Sequence, residues 1–148
     1  MKSSLQMDEI LSGPPEINPE DVHFNPLTDR LGGGTFGDVY KAEIKGIKVA
    51  VKVPKRQVWE CEELKSFREE VSITRSVFHT NVVLFLGACT VPGSIMIVTE
   101  RMACDLDTLL HHKDRVPPAL LKVPLTLEKK IQMAHDAVKN IYINTNTI

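Results

Sequence analysis

The sequence predicts an α+β fold: a five-stranded antiparallel sheet with one helix, followed by two further helices. Three observations carry this. Residues 47–53 (Ile47-Lys48-Val49-Ala50-Val51-Lys52-Val53) alternate with period two, as a strand does. Residues 62–77 set Leu64, Phe67, Val71 and Thr74 on one stripe of a helix. Residues 126–141 repeat the helical spacing with Leu127, Ile131, Ala134, Val138 and Ile141.

The elements follow in order. Residues 1–21, with Gly13-Pro14-Pro15 and Asn18-Pro19, are expected to be an irregular leader. Val22-His23-Phe24 begins the first strand, which runs into a glycine-rich loop. A second strand covers 39–44, Lys45-Gly46 is a hairpin turn, and 47–53 is the third strand. Ala50 and Lys52 share one face of that strand. After the helix come two apolar strands, 82–89 and 95–99. Val91-Pro92-Gly93-Ser94 joins them and suits a type II turn, with Pro second and Gly third. A short helix over 106–112, a loop broken by Pro117, Pro118 and Pro124, and a last helix from Thr126 complete the chain. The tail 144–148 carries no helical pattern, and no internal repeat occurs.

Composition bounds the function. A chain of 148 residues, 43% hydrophobic and 25% charged, can build a core of ordinary domain size. A net charge of −1 gives no electrostatic reason to bind nucleic acid. Cys61, Cys89 and Cys104 are odd in number and widely spaced, so neither a disulfide framework nor a zinc site is expected. The adjacent His111-His112 has no third ligand. No signal peptide opens the chain, and the longest apolar run, 82–89, is too short to span a bilayer. Met1-Lys2 lacks the glycine that myristoylation needs. A reduced, cytoplasmic setting without membrane attachment is the expectation.

The glycine loop reads Leu31-Gly32-Gly33-Gly34-Thr35-Phe36-Gly37-Asp38-Val39. A dinucleotide-binding loop would lie between a strand and a helix, whereas this one leads into a hairpin. No Gly-Lys-Ser/Thr follows, so it is not a P-loop. In a hairpin, Gly32, Gly34 and Gly37 allow backbone N–H groups to approach phosphate oxygens with no Cβ in the way. Phe36 at the tip would shield phosphates from water, and Val39 would cover a flat ring. Taken alone, Gly32-Gly33-Gly34 is equally a flexible turn. Lys52 bears on the choice. It lies beside the small Ala50, which leaves room for a ring, and it can reach phosphates. A lysine on the buried side of a sheet needs a carboxylate. Glu70 on the helix is the expected partner; Glu69 is the rival, turned about 100° away around the helix.

These features, with Ile17-Asn18-Pro19-Glu20-Asp21-Val22-His23-Phe24, Val49-Ala50-Val51-Lys52, Phe67-Arg68-Glu69-Glu70-Val71, His79 to Thr90 and Ile97-Val98-Thr99-Glu100-Arg101-Met102, resemble a eukaryotic protein kinase of the tyrosine-kinase-like group of serine/threonine kinases. The resemblance spans residues 17–140. It implies a kinase N-terminal lobe and hinge over 22–102 and part of a C-terminal lobe over 103–148. It implies ATP as ligand, with Leu31, Gly32, Gly34, Phe36, Gly37, Val39, Ala50, Lys52, Thr99, Glu100, Met102 and Asp105 around it. Thr99 matches the gatekeeper behind adenine. The backbone of Glu100 and Met102 matches the hinge groups that hydrogen-bond adenine. Val39 and Ala50 match the roof, Lys52 the phosphate-contacting lysine paired to Glu70, and Asp105 a ribose-contacting position. The segment 102–106 is one residue shorter than the family pattern. Thr74 stands where the family has an apolar residue against the position of Phe85, and Thr80 where proline is common.

The family's catalytic loop supplies an aspartate base and an asparagine for Mg²⁺, and an Asp-Phe-Gly segment supplies the other metal ligand. The 148 residues contain no His-Arg-Asp and no Asp-Phe-Gly. Asp105, Asp107 and Asp114 come in the wrong order to replace them. The expectation is a chain that ends before the catalytic loop, through truncation or a misread frame, and that does not transfer phosphate alone. Mg²⁺ and a protein substrate then belong to the complete enzyme. The apolar stripe of the last helix would remain exposed, offering association with other proteins; the alternative reading is a non-catalytic kinase-like module acting that way.

Overall fold

The computed structural model describes residues 16–35 and 37–146, with side chains through Val138. Contacts divide the chain between Arg101 and Met102, and His79–Val83 groups with the residues after the division.

The first unit is a sheet with one helix. Its strands are β1 (Val22–His23), β2 (Arg30–Gly33), β3 (Gly37–Ile44), β4 (Ile47–Pro54), β5 (Phe85–Cys89) and β6 (Met96–Glu100). They run in the order β1-β3-β4-β6-β5, all antiparallel, with β2 also paired to β3. Every residue of β3 pairs with β4 on one side, so β1 and β2 share its other edge. The expected five-strand architecture holds, with its first strand in two pieces. Pro26 has no N–H to give a ladder. Instead Asn25 gathers a turn: its carbonyl accepts from Asp29 N–H at 2.9 Å, its Oδ1 accepts from Leu27 N–H at 2.9 Å, and its own N–H donates to Asp29 Oδ2 at 2.7 Å.

The two expected turns form for clear reasons. Lys45 (φ +50°) and Gly46 (φ +82°) both have positive φ, the requirement of the tight hairpin that matches strand twist. Gly93 takes φ +86°, and Ser94 N–H donates to Val91 C=O at 2.9 Å, closing the type II turn. Gln57, which sequence reasoning passed over, braces that turn. Its Oε1 accepts from Ile95 N–H at 2.7 Å, and its Nε2 donates to Ile95 and Pro54 carbonyls.

Helix α1 (Cys61–Ser76) matches the amphipathic stripe. Phe67 and Val71 are buried with Ala88 and Ile95, and Trp59, Leu64, Phe85 and Ile97 complete this cluster. The opposite face of the sheet builds a second cluster from Val22, Ala42, Val49, Val51, Cys89, Met96 and Val98. Two positions correct the sequence reading. The strand expected over 82–89 begins only at Phe85, because Val82 N–H is taken by His79 C=O in a turn. The leader's described end is ordered rather than irregular: Glu16 bridges in parallel to Ala88, and Pro19–Asp21 forms a 3₁₀ turn capped by Asn18. Residues 1–15 lie outside the described residues.

The second unit is helical: α2 (Leu106–His111), α3 (Pro118–Leu121) and α4 (Leu127–Asn146). Asp105 caps α2 and Thr126 caps α4. The short α3, absent from the sequence expectation, starts on Pro118, whose fixed φ suits a first helical turn. Helix α4 runs to Asn146, beyond the expected end at 141. Leu127, Ile131 and Val138 are 73%, 61% and 61% exposed. No helix among the described residues is long and apolar enough to cross a membrane.

Candidate nucleotide site

Cross-strand register gathers four of the twelve expected residues on one surface. Residues directly opposite in antiparallel strands point to the same face. One ladder runs Val39, Lys52, Ile97, Ala88, and the next runs Lys41, Ala50, Thr99, Phe85. Val39, Ala50, Lys52 and Thr99 therefore share a face. Ile97, Ala88 and Phe85 on the same face pack against α1, so the helix carrying Glu70 covers one end of the surface that Lys52 faces. Val39, Ala50 and Thr99 are half-buried, while Lys52 is exposed.

The structure does not bring Lys52 and Glu70 together. Both are exposed, and no ion pair or hydrogen bond joins either side chain to another described residue. Glu69 is exposed and without an ion pair as well. The reason lies in α1. Its buried stripe is Phe67 and Val71, and Glu70 sits off that stripe, where water solvates its carboxylate. An exposed pair would contribute at most about 1 kcal/mol, too little to draw the helix round. Thr74 is exposed and its hydroxyl donates to Glu70 C=O at 2.9 Å.

The glycine loop is a tight hairpin between β2 and β3. Gly34 N–H donates to Gly37 C=O at 2.9 Å. At the base, Arg30 Nη2 and Nε both donate to Asp38 Oδ1, at 2.8 and 3.2 Å, and the Asp38 carboxylate raises the Arg30 pKa further. The three expected glycines divide. Around Gly32 and Gly34 an added Cβ would meet nothing within 4 Å, so backbone there is open to a ligand. At Gly37 it would lie 2.5 Å from Val53 C=O and 3.0 Å from Pro54 Cα, so Gly37 is demanded by close packing of β3 on β4. Leu31 is 56% exposed beside the loop. Phe36 lies outside the described residues.

Glu100 ends β6. Its N–H donates to Leu84 C=O at 2.9 Å, and its carboxylate accepts from Leu84 N–H at 2.7 Å, a clasp that sequence reasoning missed. In the second unit Met102 is 56% exposed. Asp105 serves its own helix: Oδ1 accepts from Thr108 N–H at 2.6 Å and Oδ2 from the Thr108 hydroxyl at 2.9 Å. The Thr108 amide holds the Asp105 carboxyl below its ordinary pKa. No group of three His, Cys, Asp or Glu able to hold a metal ion occurs among the described residues.

Comparison with known proteins gives a consistent result. The family model described as protein tyrosine and serine/threonine kinase matches residues 26–147. The chain is 58% identical over 109 residues to the dual specificity protein kinase shkE of Dictyostelium discoideum, covering 74% of this chain and 15% of that protein. It is 51% identical over 126 residues to shkD of the same organism, covering 85% and 16%. It is 34% identical over 115 residues to the serine/threonine-protein kinase CTR1 of Arabidopsis thaliana, covering 78% and 13%. The chain thus spans between 13% and 16% of the length of these three relatives.

Proposed function

Because the chain belongs to the protein tyrosine and serine/threonine kinase family, we propose that it is the ATP-binding portion of a protein serine/threonine kinase of the tyrosine-kinase-like group. Residues 22–102 act as the N-terminal lobe and hinge, and 103–148 as part of the C-terminal lobe. The observation that supports this is the shared face of Val39, Ala50, Lys52 and Thr99, with the open backbone of Gly32 and Gly34 at its end. A flat apolar ring fits against Val39 and Ala50. A polyphosphate fits the unpaired ammonium of Lys52 beside the glycine loop, where no Cβ screens the backbone of Gly32 and Gly34, the Gly34 N–H being itself given to Gly37 C=O in this structure. Glu70 is the carboxylate we assign to Lys52. Their present separation means that the pair forms only when α1 or the lysine shifts.

The residues present fit the nucleotide but not its metal. ATP supplies the transferable phosphoryl group, and Mg²⁺ supplies charge neutralisation in kinases generally. This chain's part is to hold and orient the nucleotide. The polypeptide of residues 1–148 has no His-Arg-Asp or Asp-Phe-Gly, so alone it lacks the base and metal positioning that phosphoryl transfer requires. ATP binding by this polypeptide is then weak, at a millimolar Kd or about −4 kcal/mol. The test is a calorimetric ATP titration of the 148-residue chain with and without Mg²⁺, beside Lys52→Met. Weak binding that Mg²⁺ does not improve and that Lys52→Met removes is expected. Micromolar, Mg²⁺-dependent binding overturns the inactive reading, and binding indifferent to Lys52 overturns the site.

The exposure of Leu127, Ile131 and Val138 on α4 favours a second reading, a non-catalytic module that associates with other proteins through this stripe.

A further inference from the structure

The outer edge of the sheet carries a hydrogen-bond relay that sequence patterning does not suggest. Strand β5 is outermost, and α1 packs against it. Glu16 and Ile17 lie along its free edge, with Ile17 N–H donating to Ala88 C=O at 2.8 Å. Thr90 follows β5 directly and is 3% exposed, the one buried polar residue among the described residues. Its N–H donates to Glu16 Oε1 at 2.7 Å. Its hydroxyl lies 3.1 and 3.2 Å from the two Glu16 carboxylate oxygens. The same hydroxyl oxygen accepts from Arg68 Nη2 at 2.9 Å and Nε at 3.3 Å. Arg68 belongs to α1.

One hydroxyl thus joins a carboxylate on the N-terminal segment to a guanidinium on the helix. Giving its proton to Glu16 makes the oxygen a better acceptor for Arg68, so the two bonds reinforce each other. Glu16 and Arg68 are not within ion-pair distance, so Thr90 is the link between the charges. Arg68 stands two residues before Glu70, one helical turn or less from it.

We propose that Thr90 and Arg68 are positioning residues, through which the segment at Glu16 sets where α1 rests on the sheet. The consequence for Glu70 and Lys52 rests on the nucleotide reading above; the link from Glu16 to α1 does not. Whatever precedes Glu16 and pulls on it would then be felt by the helix, because β5, Thr90 and Arg68 form a continuous path. Loss of the hydroxyl releases α1 while the β3–β4 hairpin, which has no part in the relay, is untouched.

Site-resolved amide hydrogen exchange on the full chain, without nucleotide, tests this. Thr90→Val and Glu16→Ala each should speed exchange of the α1 amides around Phe67 and Val71 by about tenfold, the effect of losing a charge-assisted bond. Amides of β3 and β4 should keep their rates. Thr90→Ser, which retains the hydroxyl, should restore α1, and Thr90→Val with Arg68→Met should be no faster than Thr90→Val alone. Unchanged α1 exchange in Glu16→Ala overturns the proposal, even if Thr90→Val fails to fold. Acceleration spread evenly through the sheet also overturns it, since that is what a merely structural role gives. A flat ATP titration sinks the nucleotide reading and leaves this result standing; the reverse failure sinks the relay alone.

Discussion

Gly37→Ala separates two roles that look alike in the glycine loop. In sequence, Gly32, Gly34 and Gly37 are equal candidates for close approach to phosphate. In the structure the Cβ added at Gly37 meets backbone on both sides, Val53 C=O at 2.5 Å and Pro54 Cα at 3.0 Å. Neither atom can rotate away, so β3 and β4 must separate locally. Overpacking of this kind costs about 1–3 kcal/mol. For a chain of 148 residues each kcal/mol moves Tm by roughly 2–4 °C. Gly34→Ala is the matched control. Its Cβ meets nothing within 4 Å, and Gly34 has no positive φ. Loss of unfolded-chain freedom then makes it neutral or stabilising, by up to about 1 kcal/mol. Thermal unfolding followed by circular dichroism measures both. A Gly37→Ala chain as stable as the parent, or a Gly34→Ala chain equally destabilised, would refute the assignment of Gly37 to packing.

Other outcomes follow from single residues. Ile95→Ala, at a fully buried position between the sheet and α1, should cost about 2–5 kcal/mol in denaturant unfolding, whereas Ile47→Ala, at 64% exposure, should stay within about 0.5 kcal/mol. Lys52→Met should leave Tm unchanged, because the ammonium has no partner to lose; a fall of several degrees would mean it is held by something. Asp29 is held below its ordinary pKa of 3.8 by the Asn25 N–H, with Lys41 acting in the same direction. A lowered folded pKa contributes stability that is complete above that ordinary value and is lost as pH falls through the folded one. Asp29→Asn should therefore flatten the acid limb of a Tm-against-pH curve, and an unchanged acid limb would show that the Asn25–Asp29 turn is not the group being titrated.

The long periodic elements were legible from the residues themselves. Helix α1 was expected at 62–77 and runs Cys61–Ser76, because its stripe of Leu64, Phe67 and Val71 has one arrangement that hides it. The β3–β4 hairpin follows from strict alternation around Lys45-Gly46, and the type II turn from Pro92-Gly93, since each is a local preference with a steric cause. The shared face of Ala50 and Lys52 came from the same period of two. The break in the first strand was less visible, because it depends on Asn25 and Asp29 bonding to each other's backbone in competition with the ladder. The docking of Glu16 beside Thr90 was invisible, since the partners are far apart in the chain and neither carries a periodic signal.

By itself the sequence determined the family and the kinds of element, because alternation, helical spacing and turn chemistry are properties of neighbouring residues. Tertiary structure decided the rest: that Gly37 serves packing while Gly34 stays open, that Glu70 rests in water apart from Lys52, and that the chain before the sheet reaches α1 through one hydroxyl. Each depends on distances between segments remote in sequence, which close packing sets to within an ångström and which no local pattern encodes.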